Sequence, residues 1–181
     1  EIIVNFFKQK NIPGELYDDP WQNFGYNRTK ALQHAYKKSK YLLIFDADDE
    51  ICGNFQLPNL DEESENQNQS KIIDAYSLQF GDPNGIQYTR IQIINNRKKW
   101  KYVGVLHEYI TCCEDSNESN TIWGSYYVVS GRTSSRNKDK NKYLKDALIL
   151  EKAYEEAVQK KDDIYHRYGF YCANSYYDSN K

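Results

Sequence analysis

The sequence lacks any apolar run that approaches the roughly 18 residues a membrane-spanning helix needs. Its first ten residues, EIIVNFFKQK, lack the basic start and the small-residue cleavage pattern of a secretory signal peptide. A formal net charge of −2 lacks the cationic excess that nucleic acids and anionic membranes attract. We therefore expect no membrane span and no nucleic-acid partner, so any anionic ligand must be held by a local site.

Cysteine is also scarce, and its spacing excludes two classes of structure. Cys52, Cys112, Cys113 and Cys172 show neither metal-ligand spacing nor a disulfide-framework pattern. Asn27 begins an N-x-T glycosylation pattern, but it lies in a stretch that we predict below to be functional. Reduced thiols in a cytoplasmic protein are the interpretation that fits both observations.

Periodicity predicts an α/β chain. At 181 residues, one domain with a small appendage is the default. EIIVNFFKQK has the pattern of a short amphipathic helix, and residues 24–38 repeat with a helical period. The apolar run 41–45 is too short for a helix and predicts a strand buried on both faces. A helix followed by a buried strand is typical of α/β folds.

The rest of the chain predicts a strand-rich centre and a helical end. IIDAYSLQF and QYTRIQIINN, joined by GDPNG, predict an antiparallel hairpin. WKYVGVLHEYI continues in extended form, and TIWGSYYVVS supplies a further strand. Residues 143–181 then predict two helices with a tight turn, a helical hairpin. We accordingly predict two units, an α/β domain over residues 1–142 and a helical hairpin over residues 143–181.

An acidic cluster ends the buried strand in KYLLIFDADDE. Asp46, Asp48, Asp49 and Glu50 collect like charges, which is unfavourable unless water or a cation screens them. The carboxyl end of a central strand is also where open α/β sheets bind ligands. Hard oxygen ligands suit Mg²⁺ or Mn²⁺. A solvated acidic turn is the alternative, since D-x-D arises by chance in many loops.

A second pair of polar residues is His107 and Glu108. Neighbours in a regular strand point to opposite faces, so both can serve one site only if the backbone turns or bulges there. Trp100 and Tyr102 alternate along the preceding segment. They are either platforms for a sugar ring or core aromatics, and the sequence leaves both alternatives open.

A basic segment, GRTSSRNKDKNK, follows the last predicted strand. Its Arg132 and Arg136 carry guanidinium forks that match phosphate geometry. Loops of this kind often close over a bound ligand. A solvated run of charge is the alternative.

Three motifs in this order resemble a known family. WQNFGYNRTKALQHAYKKSKYLLIFDADD resembles the nucleotide-sugar half of family-2 glycosyltransferases, which have the Rossmann-like GT-A fold with a mixed sheet. WKYVGVLHEYI is similar to the later metal-side and acceptor-side motif of a subgroup, and the ending is similar to the tetratricopeptide-type helices that often follow it. The resemblance implies a GT-A-like domain over 1–142 that lacks the family's first two strands, which clasp the nucleotide base.

The resemblance also assigns roles to the donor-side residues. It implies that Asn27 and Arg28 hold the nucleotide and that Asp46 faces the ribose. Asp48 would ligate Mn²⁺ or Mg²⁺. From their guanidinium chemistry, and not from the resemblance, we expect Arg132 and Arg136 to contact the bound nucleotide-sugar donor.

On the acceptor side, the resemblance gives His107 and Glu108 roles at the same site. His107 would be a further ligand of the metal or the diphosphate. Glu108 would be the base, because a carboxylate suits removing a proton from an acceptor hydroxyl.

The function implied is a metal-dependent glycosyltransferase that moves a sugar from a nucleotide-diphosphate donor, UDP-linked being commonest, with inversion. A catalytically inactive fragment that binds a protein partner through its C-terminal helices is the alternative. A D-x-D-x-T phosphatase is a weaker one, because Glu50 stands where that chemistry wants Thr or Val.

Overall fold

The structure is a computed structural model that describes residues 2–60, 72–82, 84–115, 117–131 and 135–180. Arg132 therefore lies outside the described residues. The helices described are α1 (Ile2–Gln9), α2 (Phe24–Ala35), α3 (Lys142–Lys160) and α4 (Tyr165–Ser179), with a 3₁₀ turn at Ser135–Lys138. The strands described are β1 (Tyr41–Leu43), β2 (Glu50–Gly53), β3 (Ala75–Gly81), β4 (Gln87–Asn95), β5 (Trp100–Val103), β6 (Tyr109–Cys112), β7 (Ser119–Thr121) and β8 (Tyr126–Val129).

The main sheet is mixed and curled. Its strand order is β1-β4-β3-β8-β2, and β7 also pairs with β3. The β1–β4, β3–β4 and β2–β8 pairs are antiparallel, whereas β7 and β8 run parallel to β3. The β5–β6 hairpin forms a separate two-stranded sheet. With four described helices, the chain has a mixed α/β architecture.

Locally encoded elements lie where the sequence predicts them. The β3–β4 hairpin is antiparallel and carries Phe80 opposite Tyr88. The amphipathic α1, the helix α2 and the two C-terminal helices are also confirmed. None of the described helices is long and apolar enough to cross a membrane.

The prediction of a doubly buried central strand at 41–45 is wrong. The strand covers Tyr41–Leu43, and among the described residues it pairs only with β4, at the edge of the sheet. The Leu43 side chain is 58% exposed. An apolar run does not distinguish a central strand from an edge strand, because the strand's neighbours are set by distant parts of the chain.

Three hydrophobic clusters hold the elements together. The largest lies under β3, where Tyr76, Leu78 and Phe80 are at most 1% exposed. A second joins Leu106, in the β5–β6 turn, to α3 and α4 through side chains that include Leu150. The third packs α2 against the sheet through residues from α2, β3, β4 and β5. The helical hairpin and α2 therefore both pack against the part of the chain that turns between β5 and β6.

The start of α2 lies directly against this turn. Gly104, with φ of 113°, opens the turn, and a Cβ atom on Gly25 would overlap its carbonyl oxygen. The Phe24 backbone N–H donates to the Val105 carbonyl at 3.3 Å, and the Tyr102 N–H donates to the Thr29 hydroxyl at 2.9 Å. These contacts set the direction in which the next turn of α2 presents its side chains.

Replacing Gly25 by alanine should lower the free energy of unfolding by about 1–3 kcal/mol, as overpacking does where the neighbour is backbone. The new methyl group meets the Gly104 carbonyl, which cannot rotate away as a side chain can. Urea unfolding followed by circular dichroism measures the change. Gly85→Ala is the matched control, because a Cβ atom there makes only ordinary contact with Asp82. Equal stability of the two variants would contradict the close approach.

Candidate functional site

A cavity of about 700 Å³ lies between α2, β4, the β5–β6 turn and the helical hairpin. This volume is within the range of about 300–1,000 Å³ that small-molecule sites occupy. Its lining residues come from six separate stretches of the chain, and they are Phe24, Arg28, Asp46, Tyr88, Thr89, Arg90, Ile91, Tyr102, Leu106, His107, Glu108, Tyr109, Ile110, Arg136, Lys142, Asp146, Arg167 and Tyr171.

The Arg28 guanidinium connects two carboxylates that are distant in sequence. Its Nη2 lies 2.5 Å from Asp46 Oδ1, and its Nε lies 2.9 Å from Glu108 Oε1. Arg90 Nη2 approaches the second Asp46 oxygen at 3.5 Å. Burial alone would lower the pKa of Arg28, but the negative charges of Asp46 and Glu108 oppose it, and the net shift is upward. Arg28 is therefore a permanent cation at this position.

Tyr102 forms the wall beside this ion pair. The Arg28 guanidinium lies 5.3 Å from the centroid of the Tyr102 ring, a cation–π contact. Burial raises the pKa of the Tyr102 hydroxyl, although the nearby Arg28 charge acts in the opposite direction. Tyr102 therefore presents a neutral phenol to the cavity.

His107 and Glu108 both line the cavity because the backbone turns there. Gly104 and His107 have φ values of 113° and 53°, so neither continues the strand conformation of β5. Histidine is one of the few residue types enriched in this left-handed region. The condition that the sequence set for this pair, a turn or bulge, is therefore met.

Helix α4 holds the turn in this conformation. Arg167 donates from Nε and Nη2 to the His107 carbonyl at 2.9 and 2.7 Å. The His107 ring stacks on Tyr171 with centroids 4.1 Å apart and planes 10° from parallel. Desolvation lowers the pKa of His107, with the cations of Arg136 and Arg167 acting in the same direction and Asp146 opposing them. The C-terminal hairpin thus contributes directly to the cavity.

The Arg136 guanidinium also reaches the cavity. It is paired with the Asp146 carboxylate, whose side chain is only 7% exposed, and it lies 4.7 Å from the centroid of the Phe24 ring. This pair connects the 3₁₀ turn to α3 and brings a predicted phosphate-binding residue to the wall of the cavity.

The cavity wall carries an excess of positive charge. Among the described residues that line it, five side chains are cationic and three are acidic, so two cations are in excess when His107 is neutral. Asp46, Glu108 and Asp146 each have an arginine partner. The chain as a whole is slightly acidic. The cavity wall is therefore positive although the net charge of the chain is negative, and a positive wall favours an anionic ligand.

Three predicted site residues lie elsewhere. The Asn27 amide accepts from the Gln22 N–H and donates to the Pro20 carbonyl, so it fastens a loop to α2. The Trp100 ring is 5% exposed and donates to the Asn95 carbonyl, so it is a core aromatic, the alternative that the sequence left open.

Asp48 is the third, because it does not line the cavity that contains His107. It lies beside Asp49, whose Oδ1 accepts from the Gly131 N–H at 3.3 Å. The other oxygen, Asp49 Oδ2, is buried and has no hydrogen-bond partner among the described residues. Burial raises the pKa of Asp49, and the charges of Asp46 and Asp48 act in the same direction.

This acidic turn partly fits a divalent cation. An unpartnered buried carboxylate oxygen with a second carboxylate beside it is a hard donor set, of the kind that Mg²⁺ and Mn²⁺ prefer. Within the described ranges there is no group of three or more His, Cys, Asp and Glu placed to hold a metal. Mg²⁺ is commonly held by one or two carboxylates together with substrate phosphates, so a smaller protein donor set is sufficient.

Sequence reasoning missed Arg90, Lys142, Asp146, Arg167 and Tyr171 as cavity residues. Each lies in a regular strand or helix where a charged or aromatic side chain is ordinary. No motif in the sequence marks them, since their common position arises only when α3 and α4 pack against the β5–β6 turn.

Comparison with models of known protein families finds no match to this chain. A search of curated protein sequences likewise finds no significant match. A function is therefore proposed from the chemistry of the cavity together with the motif resemblance.

Proposed function

We propose that this chain is a glycosyltransferase of the GT-A class, which moves a sugar from a nucleotide-diphosphate donor to an acceptor hydroxyl. One observation carries the proposal. The Arg28 guanidinium bridges Asp46 and Glu108 inside a cavity that has an excess of positive charge. These three residues belong to two of the motifs that resemble family-2 glycosyltransferases, so the resemblance and the geometry select the same site.

The diphosphate of the donor is the anion that the cavity suits. Arg28, Arg90 and Arg136 present planar guanidinium groups, and the N–H groups that their carboxylate partners leave unused can donate to phosphate oxygens. Asp46 lies among these arginines and can accept hydrogen bonds from ribose hydroxyls. UDP is the nucleotide we propose, as the commonest in the family.

Glu108 is the base in this proposal. Its Oε1 faces Arg28, so Oε2 is the oxygen that takes the proton of the acceptor hydroxyl. The acceptor oxygen forms a bond to the anomeric carbon while the bond from that carbon to the diphosphate oxygen breaks, and the electron pair leaves with the diphosphate. Direct displacement of this kind inverts the anomeric carbon.

A divalent cation belongs to the proposal as an expectation from the resemblance. When bound, Mn²⁺ or Mg²⁺ would supply Lewis acidity toward the charge on the departing diphosphate. Asp48, with Asp49 beside it, would hold the cation. His107 is stacked on Tyr171 and is better placed to contact the diphosphate than to join Asp48.

Replacing Asp48 by alanine should abolish the Mn²⁺-dependent part of UDP-sugar hydrolysis and weaken Mn²⁺ binding by about tenfold or more, because one of two donor carboxylates is lost. Hydrolysis is measured by UDP release, and Mn²⁺ binding by electron paramagnetic resonance of the free ion. Asp115→Ala, which removes an exposed acid from a loop, is the matched control. Equal Mn²⁺ dependence in both variants would remove Asp48 from the metal site.

A protein-interaction module is the second candidate, and exposed apolar side chains favour it. On the helical hairpin, Leu148, Phe170 and Tyr177 are 53%, 63% and 68% exposed. Titration calorimetry with UDP and Mn²⁺ separates the two candidates. Heat of binding supports the transferase, whereas no heat from UDP together with capture of a protein partner by the hairpin supports the module. We propose the cytoplasm as the location in either case, in agreement with four free thiols.

A further inference from the structure

A second groove adjoins the charged cavity and has a different chemistry. It encloses about 550 Å³, and it is lined by residues of β3, β4, β8 and the segment that leads into β8, namely Gln79, Phe80, Gln87, Tyr88, Thr89, Trp123, Gly124, Ser125, Tyr126 and Tyr127. Tyr88 and Thr89 line both spaces. We call this space the aromatic groove.

The side chains of the aromatic groove are aromatic, amide or hydroxyl, and none of the described residues that line it is charged. The neighbouring cavity, in contrast, has eight charged lining side chains. The cavity therefore suits an anionic group, whereas the aromatic groove suits a neutral one. A nucleotide-diphosphate donor fits the first space, and a neutral polyhydroxylated molecule fits the second.

Trp123 is the most prominent feature of the aromatic groove, with 70% of the residue exposed. Hydrogen bonds of the residues before and after Trp123 set its position. The Ile122 N–H donates to the Ser77 carbonyl at 2.9 Å, which draws Ile122 into the core and leaves the next residue facing outward. Gln79 Nε2 donates to the Gly124 carbonyl at 3.0 Å. The backbone on either side of Trp123 is thus hydrogen-bonded to β3.

Tyr88 stands at the boundary between the two spaces. Its ring stacks on Phe80, with centroids 5.5 Å apart, and 46% of the residue remains exposed. The faces of aromatic rings carry partial negative charge and attract the weakly positive C–H groups of a pyranose ring. Two exposed rings that line one groove together with amide and hydroxyl side chains are suited to binding sugar units.

We propose that the aromatic groove binds a neutral oligosaccharide, which is the acceptor of the reaction. Trp123 and Tyr88 stack against two of its sugar rings, and the chain continues past Thr89 so that a hydroxyl group at its end reaches the cavity with Glu108. The assignment of this oligosaccharide as acceptor rests on the proposed glycosyltransferase function, whereas its binding does not.

The test is a titration without any donor, using four neutral hexasaccharides, which are cellohexaose, maltohexaose, chitohexaose and β-1,4-mannohexaose. Calorimetry or chemical shifts should show that at least one of them binds the wild-type chain. Trp123→Ala should weaken that binding by about tenfold or more, since one stacking platform is lost, and Tyr88→Ala should also weaken it. Trp123→Phe keeps a ring and should retain most of the affinity.

Trp21→Ala is the matched control, because Trp21 is 64% exposed but lies against Phe24, away from the aromatic groove. It should bind the hexasaccharide as the wild type does. The inference is overturned if none of the four hexasaccharides binds, or if Trp123→Ala binds as tightly as Trp21→Ala.

A parallel titration with UDP distinguishes this inference from the proposed function. If UDP binds and no hexasaccharide binds, the proposal that the aromatic groove binds an oligosaccharide is wrong, and the proposed transferase function is retained. Trp123-dependent hexasaccharide binding without UDP binding would support the groove as a carbohydrate site and overturn the transferase.

Discussion

Replacing Arg28 by lysine should lower sugar transfer from a UDP-sugar by about 10²–10³-fold, comparable to losing one preorganised donor in an active site. Lysine keeps the positive charge but cannot donate in two fixed directions. It can satisfy either Asp46 or Glu108, whereas the guanidinium contacts both. The carboxylate left without a partner should move, and the diphosphate loses one planar contact. Initial rates of UDP release with an acceptor measure the effect.

The stability of the same variant provides a second readout. Loss of a charge-assisted hydrogen bond in a partly buried site should lower the free energy of unfolding by about 1–3 kcal/mol. Arg97→Lys is the matched control, because Arg97 is an exposed arginine in the turn between β4 and β5. A fully active, fully stable Arg28→Lys chain would show that the bridge between the two carboxylates has no role.

Local structure was predictable where neighbouring residues determine it. The β3–β4 hairpin follows from two alternating runs and one turn, and α3 and α4 follow from a helical period that needs no information about the rest of the chain. The environment of β1 was not predictable in this way. Its apolar residues indicate a strand, but whether a second neighbour covers Leu43 is decided by residues distant in sequence.

The residues of the candidate site also differ in whether the sequence alone could identify them. Arg28, Asp46 and Glu108 were identified because they lie in motifs, and the structure brings them into one cavity. Arg167 was not identified, because an arginine in an amphipathic helix is ordinary until the helix is packed. Its two hydrogen bonds to the His107 carbonyl exist only after α4 is packed against the β5–β6 turn.

Asn27 lies in the same motif as Arg28, but its amide is bonded outside the cavity. Both ends of its amide are bonded to backbone groups of the loop before α2. A sequence motif gives the neighbourhood of a residue along the helix, but it does not give the hydrogen bonds that the helix terminus makes.

Replacing Glu108 by glutamine should lower the rate of transfer by about 10²–10⁴-fold, the range for loss of general base catalysis. Glutamine has nearly the same shape, and its amide oxygen can still accept a hydrogen bond from Arg28 Nε. It cannot take the proton of the acceptor hydroxyl. The affinity for UDP should therefore stay within about twofold of wild type, because the diphosphate contacts come from the arginines. Transfer rates and UDP calorimetry measure the two quantities separately.

Measuring the transfer rate and the UDP affinity separately shows whether Glu108 acts as the base. Glu155→Gln, an exposed residue of α3, makes the same chemical change away from the cavity and should leave both quantities unchanged. If Glu108→Gln loses UDP affinity and transfer together, Glu108 acts by positioning Arg28 and is not the base. If it keeps most of the transfer rate, the proton leaves the acceptor by another route, and the arrangement around Arg28 serves to bind the donor alone.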